Sequence, residues 1–121
     1  MNPVNWFELP ATDLARAKAF YESVFGVTLT HMDMGPTSME MFASDPTQPN
    51  AGGALVVAED YVPSASGTTV YFYADDINAT MAKVVAAGGR EICPKMSIGE
   101  FGFIAQFLDS EGNRVALHSM Q

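Results

Sequence analysis

Cysteine is nearly absent from this chain of 121 residues: Cys93 stands alone, so the sequence supports no internal disulfide and no thiolate metal cluster. Histidine is almost as scarce, and His31 and His118 leave little imidazole for a metal centre or a proton relay. Lys and Arg number 6 against 14 acidic residues, a net charge of −8, which excludes the clustered cations that nucleic-acid phosphates demand. No apolar run approaches the roughly 20 residues that cross a bilayer, and the N-terminus lacks the basic-then-apolar layout of a signal peptide. The expectation is a cytoplasmic protein with neither nucleic acid nor membrane as partner. Cys93, within EICP at 91–94, has no neighbouring His to activate it and reads as a half-buried structural thiol.

What the chain does have is apolar residues, 48% of the total with 13 aromatics, enough to feed one core in a single domain over 1–121. The pattern at 6–26, WFELPATDLARAKAFYESVFG, returns at 69–89, TVYFYADDINATMAKVVAAGG. Asp13 and Asp76, Leu14 and Ile77, and Gly26 and Gly89 are each 63 residues apart. Two strand-helix units that each expose an apolar face can bury those faces together. The organisation expected is a first module over about 1–58, a linker at 59–67 and a second module over about 68–121.

Residues 4–9 alternate, with Trp6 and Glu8 on one face of a strand and Phe7 and Leu9 on the other. Thr12 or Asp13 can cap the helix that follows, whose stripe is Leu14, Ala17, Phe20, Tyr21, Val24 and Phe25; Gly26 supplies its left-handed end. Strands are expected at 27–32 and 39–43 around Gly35-Pro36, then a polar loop at 44–50 and a strand at 54–58. The second module repeats the order. It has a strand at 68–74, a helix bearing Ile77, Met81, Val84 and Val85, a short strand at 90–93, a loop at 94–99, and a hairpin of 101–108 and 114–118 around DSEGN. In the second module Thr69, Tyr71 and Tyr73 share the face equivalent to that of Trp6 and Glu8, and Arg114, Ala116 and His118 alternate with Val115 and Leu117. Met32, Met34, Met39 and Met41 line the first hairpin, where they suit core filling, an adaptable pocket or a dimer contact. KMSIGEFG at 95–102 is a loop suited to fold over a cavity mouth, or simply a turn into the next strand.

The paired strand-helix-three-strand order, with DLARAKAFYESVFG after the first strand and DSEGNR before the last, resembles the vicinal oxygen chelate superfamily of glyoxalase I, bleomycin-resistance proteins and extradiol dioxygenases. The resemblance covers essentially the whole chain. It implies an α+β fold in which two tandem βαβββ modules form a curved mixed sheet around a cavity, with helices on the outside, and it implies a homodimer. Metal-using members of that family place His or Glu at four positions, which here fall on Trp6, Thr69, Ala116 and the neighbourhood of 53–55. None is a usual ligand, so neither a metal nor a cofactor is expected at this site.

The function expected is therefore metal-independent binding of a small, partly apolar organic molecule. Trp6, Glu8, Thr69, Tyr71, Tyr73, Arg114 and His118 are the candidate ligand-binding residues, and the acidic charge suits a cationic guest. Glu8 either holds that guest or pairs with Arg114 or Lys95. A second reading is a lyase or isomerase of glyoxalase type. It would use a displaced metal drawn from His31, His118, Glu8 and Glu40, or Glu8 and His118 as catalytic acid and base. A third is a structural dimer without a ligand.

Overall fold

Asp13 and Asp76 open the two helices in the same way. Both hold extended backbone (φ −131° and −135°), and each side chain accepts from the amide three residues on, Arg16 N and Ala79 N, at 3.1 Å. Such caps satisfy amides that the helix itself leaves free. Helix α1 spans Leu14–Phe25 and ends on Gly26 at φ 65°, and α2 spans Ile77–Ala86. The repeated pattern is a repeated structure.

The computed structural model describes residues 2–45, 47 and 51–121. Its strands are β1 (Trp6–Pro10), β2 (Leu29–Met34), β3 (Thr37–Phe42), β4 (Gly52–Val57), β5 (Val70–Tyr73), β6 (Arg90–Ser97), β7 (Phe103–Leu108) and β8 (Arg114–Ser119). They form two four-stranded sheets, β1-β4-β3-β2 and β5-β8-β7-β6, which do not close on each other. Within each, the module's first and last strands pair in parallel and the other pairs are antiparallel. The expected α+β architecture of two βαβββ modules is the one observed.

Several boundaries move, and one assignment is corrected. The short strand at 90–93 and the loop at 94–99 are a single strand, β6, that runs through Pro94 to Ser97. Proline cannot donate to a ladder, but β6 is an edge strand and its pairing with β7 shifts register twice, between Glu91 and Cys93 and between Cys93 and Met96. Conversely, the strand expected from 101 begins at Phe103, because Gly99–Phe101 makes one 3₁₀ turn. Of the loop at 44–50, Pro46, Gln48, Pro49 and Asn50 lie outside the described residues.

One core joins the modules. Phe20, Tyr21, Phe107, Ile77 and Leu117 are fully buried in it, and Phe25 of α1 stacks on Phe72 of β5 with centroids 4.7 Å apart. Burial of each such large side chain stabilises by about 1.5–3 kcal/mol. Helices of 12 and 10 residues are too short to persist alone, so this packing maintains them. Met39, Ala54 and Val56 form a smaller cluster on the other face of the first sheet, while Met32 and Met34 are exposed. Among the described residues no helix is long and apolar enough to cross a membrane.

The DSEGN turn is the bolt between the halves. Glu111 Oε1 accepts from Thr12 N (2.9 Å), Asp13 N (3.0 Å) and Arg16, while Oε2 accepts from Arg16 Nε (2.7 Å) and Ser110. A residue of the second module thus completes the start of the first module's helix. Burial alone would raise the Glu111 pKa; the bonds from Arg16, Asp13, Thr12 and Ser110 prevail and bring it down from 4.5 to about 2. Tyr21 Oη donates to Asp109 at 2.7 Å inside the core, and Asn113 Nδ2 donates to the Pro10 carbonyl at 2.7 Å.

Candidate functional site

The face of β1 turned away from α1 carries Trp6 and Glu8, and the indole packs against its register partner. Trp6 pairs with Gly52, where a Cβ would stand 3.2 Å from the ring. The next pair does the same on the core face: Phe7 covers Gly53, and a Cβ there would stand 2.3 Å from the phenyl ring. Two consecutive glycines therefore let two aromatic rings settle on opposite faces of one strand.

That indole forms part of the wall of a cavity of about 620 Å³ at the joint between modules, lined also by Glu8, Thr69, Val70, Arg114 and the linker residues Val62, Ser64 and Ser66. Glu8 is fixed by two neutral donors, Tyr61 Oη to Oε1 at 2.7 Å and Trp6 Nε1 to Oε2 at 3.2 Å. Donating to Glu8 pushes the Tyr61 phenol above its ordinary value. Arg114 donates from Nε to the Ala65 carbonyl (3.0 Å) and from Nη1 to Gln106 Oε1 (3.2 Å). The expected pairing of Glu8 with Arg114 or Lys95 is thus not made. Lys95 instead holds its ammonium 4.7 Å from the centre of the Phe103 ring, a cation–π contact.

The remaining candidates stand elsewhere. Tyr71, Tyr73 and His118 line a second, more open hollow of about 480 Å³ with Ile98 and Ile104. His118 Nε2 lies 2.7 Å from the Phe101 carbonyl, which can only accept, so this nitrogen carries the proton and tethers the 3₁₀ turn. The Tyr73 phenol is pushed up by its bond to Asp75. The candidates expected to share a single cup divide between two hollows, and the candidate acid and base, Glu8 and His118, line different ones. His31 and Glu40 line neither. They form a cross-strand pair, His31 Nδ1 to Glu40 Oε2 at 2.6 Å, flanked by Asp33 and Lys18.

The linker's part in the larger cavity was not legible in its sequence. Tyr61 bonds Glu8 across 53 residues, and EDYVPSASG carries only the loop signal of its Pro, Gly and Ser residues.

The sequence profile of the Glyoxalase/Bleomycin resistance protein/Dioxygenase superfamily matches residues 4–117. The chain belongs to this superfamily. A glyoxylase-like domain-containing protein of Didymella fabae is 31% identical over 117 residues, covering 94% of this chain and 91% of its own. The anthracycline biosynthesis protein DnrV of Streptomyces peucetius is 32% identical over 123 residues, 93% of this chain but 45% of that one. Among solved structures, a glyoxylase/bleomycin resistance protein/dioxygenase domain from Frankia sp. EAN1pec shares the fold at TM-score 0.76 and 14% identity, covering 100% of this chain and 99% of that one. A glyoxalase I variant from Zea mays does so at 0.74 and 21%, covering 98% of this chain and 47% of its own. The chain thus spans less than half the length of the Streptomyces and Zea mays relatives.

The residues at the superfamily's metal positions do not fit a divalent ion. Trp6 commits its only polar atom, a donor, to Glu8; Ala116 is fully buried; Gly53 lies under Phe7; and Thr69 offers a hydroxyl alone. Among the described residues no three His, Cys, Asp or Glu side chains converge on a common point.

Proposed function

We propose that this member of the superfamily binds a small organic molecule in the cavity between its modules, with Trp6 as the apolar platform and Glu8, Thr69 and Arg114 as polar contacts. One observation carries the reading. A cavity of about 620 Å³ combines an apolar wall with a carboxylate already oriented by Trp6 and Tyr61, the form that small-molecule sites take. A preoriented group loses little freedom on binding, so its hydrogen bond adds to affinity. The relative named for anthracycline biosynthesis supports an organic, ring-bearing guest.

Trp6 is the only tryptophan, so its emission reports on the cavity directly. In a screen of small organic compounds at neutral pH, a bound guest should shift that emission. Trp6→Ala, followed by calorimetry, and Glu8→Gln should each weaken binding about tenfold or more while far-UV circular dichroism stays unchanged. Binding that survives both substitutions would place the ligand elsewhere.

A further inference from the structure

The larger cavity holds two opposite charges that do not neutralise each other. Glu8 and Arg114 both line it, yet Glu8 takes its hydrogen bonds from an indole and a phenol, and Arg114 gives its own to a backbone carbonyl and a side-chain amide. Among the described residues neither stands within 4.0 Å of an opposite charge, whereas Arg16 and Lys18 each have a carboxylate partner. An overall acidic charge suits a cation, but Arg114 would repel a guest that carried positive charge alone. Glu8 would equally repel a simple anion.

We propose that the ligand is a zwitterion, an ammonium and a carboxylate joined by an apolar body. The ammonium meets Glu8, the carboxylate meets the Nη2 face of Arg114, and the body lies along Trp6, Val62 and Val70. This rests on the reading of the cavity given above and narrows it to a chemical class. Nη2 is the guanidinium nitrogen that Ala65 and Gln106 leave free, and its N–H groups can donate a charge-assisted hydrogen bond to a carboxylate. Each oxygen of Glu8 accepts one bond and retains a lone pair for an ammonium. Thr69 and Ser66 add hydroxyls along the wall.

The test uses phenylalanine and para-aminomethylbenzoate, each compared with its amide (cation), its N-acetyl form (anion) and its doubly blocked form (neutral). Binding is measured by isothermal titration calorimetry at low salt. The zwitterions should bind about tenfold tighter than either singly blocked form. Glu8→Gln should remove their advantage over the N-acetyl form, and Arg114→Gln their advantage over the amide. If the doubly blocked forms bind as tightly as the zwitterions, the cavity is a real site but its charges are idle, and only this inference falls. A preference for the amide alone would make it a cation site, which also overturns the proposal. If none of the compounds binds or shifts Trp6 emission while other compounds in the wider screen do, the class is wrong; if nothing does, both readings fall.

Discussion

Replacing Glu111 with Gln tests the bolt between the modules. In the folded chain the Glu111 carboxyl has a pKa of about 2, against 4.5 as its ordinary value. A folded-state value below the unfolded one contributes stability that is present above the unfolded pKa and is lost as pH falls toward the folded one. At about 1.4 kcal/mol per unit, this difference amounts to about 3.5 kcal/mol at neutral pH, an upper bound because the Arg16 partner is half exposed and solvent screens it. Gln removes the charge and also puts an NH₂ group against either Arg16 and Ser110 or the amides of Thr12 and Asp13, all of them donors. Urea unfolding followed by far-UV circular dichroism should show Glu111→Gln less stable by about 2–3 kcal/mol at neutral pH, with a melting point lower by on the order of 10 °C. Between about pH 5 and pH 2 the wild type should lose stability faster than the variant, so that the two curves converge. The other carboxylates titrate in both proteins, and the difference isolates this one. Equal stability at neutral pH, or a gap that stays constant down to about pH 2, would refute the linkage argument.

The glycine pair under the two aromatic rings gives a graded prediction. Gly53→Ala should destabilise by about 1–3 kcal/mol, since the methyl displaces Phe7 from the core, whereas Gly52→Ala should cost less and move Trp6 emission, because the indole can lift off the sheet. Chemical denaturation and fluorescence check both, and equal costs without an emission change would contradict the geometry. His31 has its pKa raised above 6.5, chiefly by its bond to Glu40 and then by Asp33, so its contribution is complete below about 6.5 and declines as pH rises through the folded value. The stability gap between wild type and His31→Gln should accordingly be larger at about pH 6 than at about pH 9; a gap that widens on the alkaline side would rule out the charged pair.

Features determined within a few residues could be read from the chain alone. The cap of the first helix is narrowed to Thr12 or Asp13, of which Asp13 reaches the third amide on as Asp76 does in the second module, and Phe7, Leu9, Val70 and Phe72 pack on the core because strand side chains alternate. Pro94 misled because a proline is as compatible with a bulged edge strand as with a loop, and only the sheet order tells them apart. The site was legible in part. Trp6, Glu8, Thr69 and Arg114 share a cavity, but the separation of Tyr71, Tyr73 and His118 into a second hollow depends on how two open sheets are set, which no periodicity encodes. Tyr61, the residue that fixes Glu8, was out of reach for the same reason.

The far-reaching acid on the last turn also bears on how the chain is made. Translation delivers Thr12 to the exit tunnel 99 residues ahead of Glu111, and through that interval the amides of Thr12 and Asp13 have only water to satisfy them. A nascent first half therefore holds the start of its opening helix by the Asp13 cap alone. Cooperative closure waits for the final hairpin, and a premature stop before it would leave a fragment for chaperones and proteases to sort.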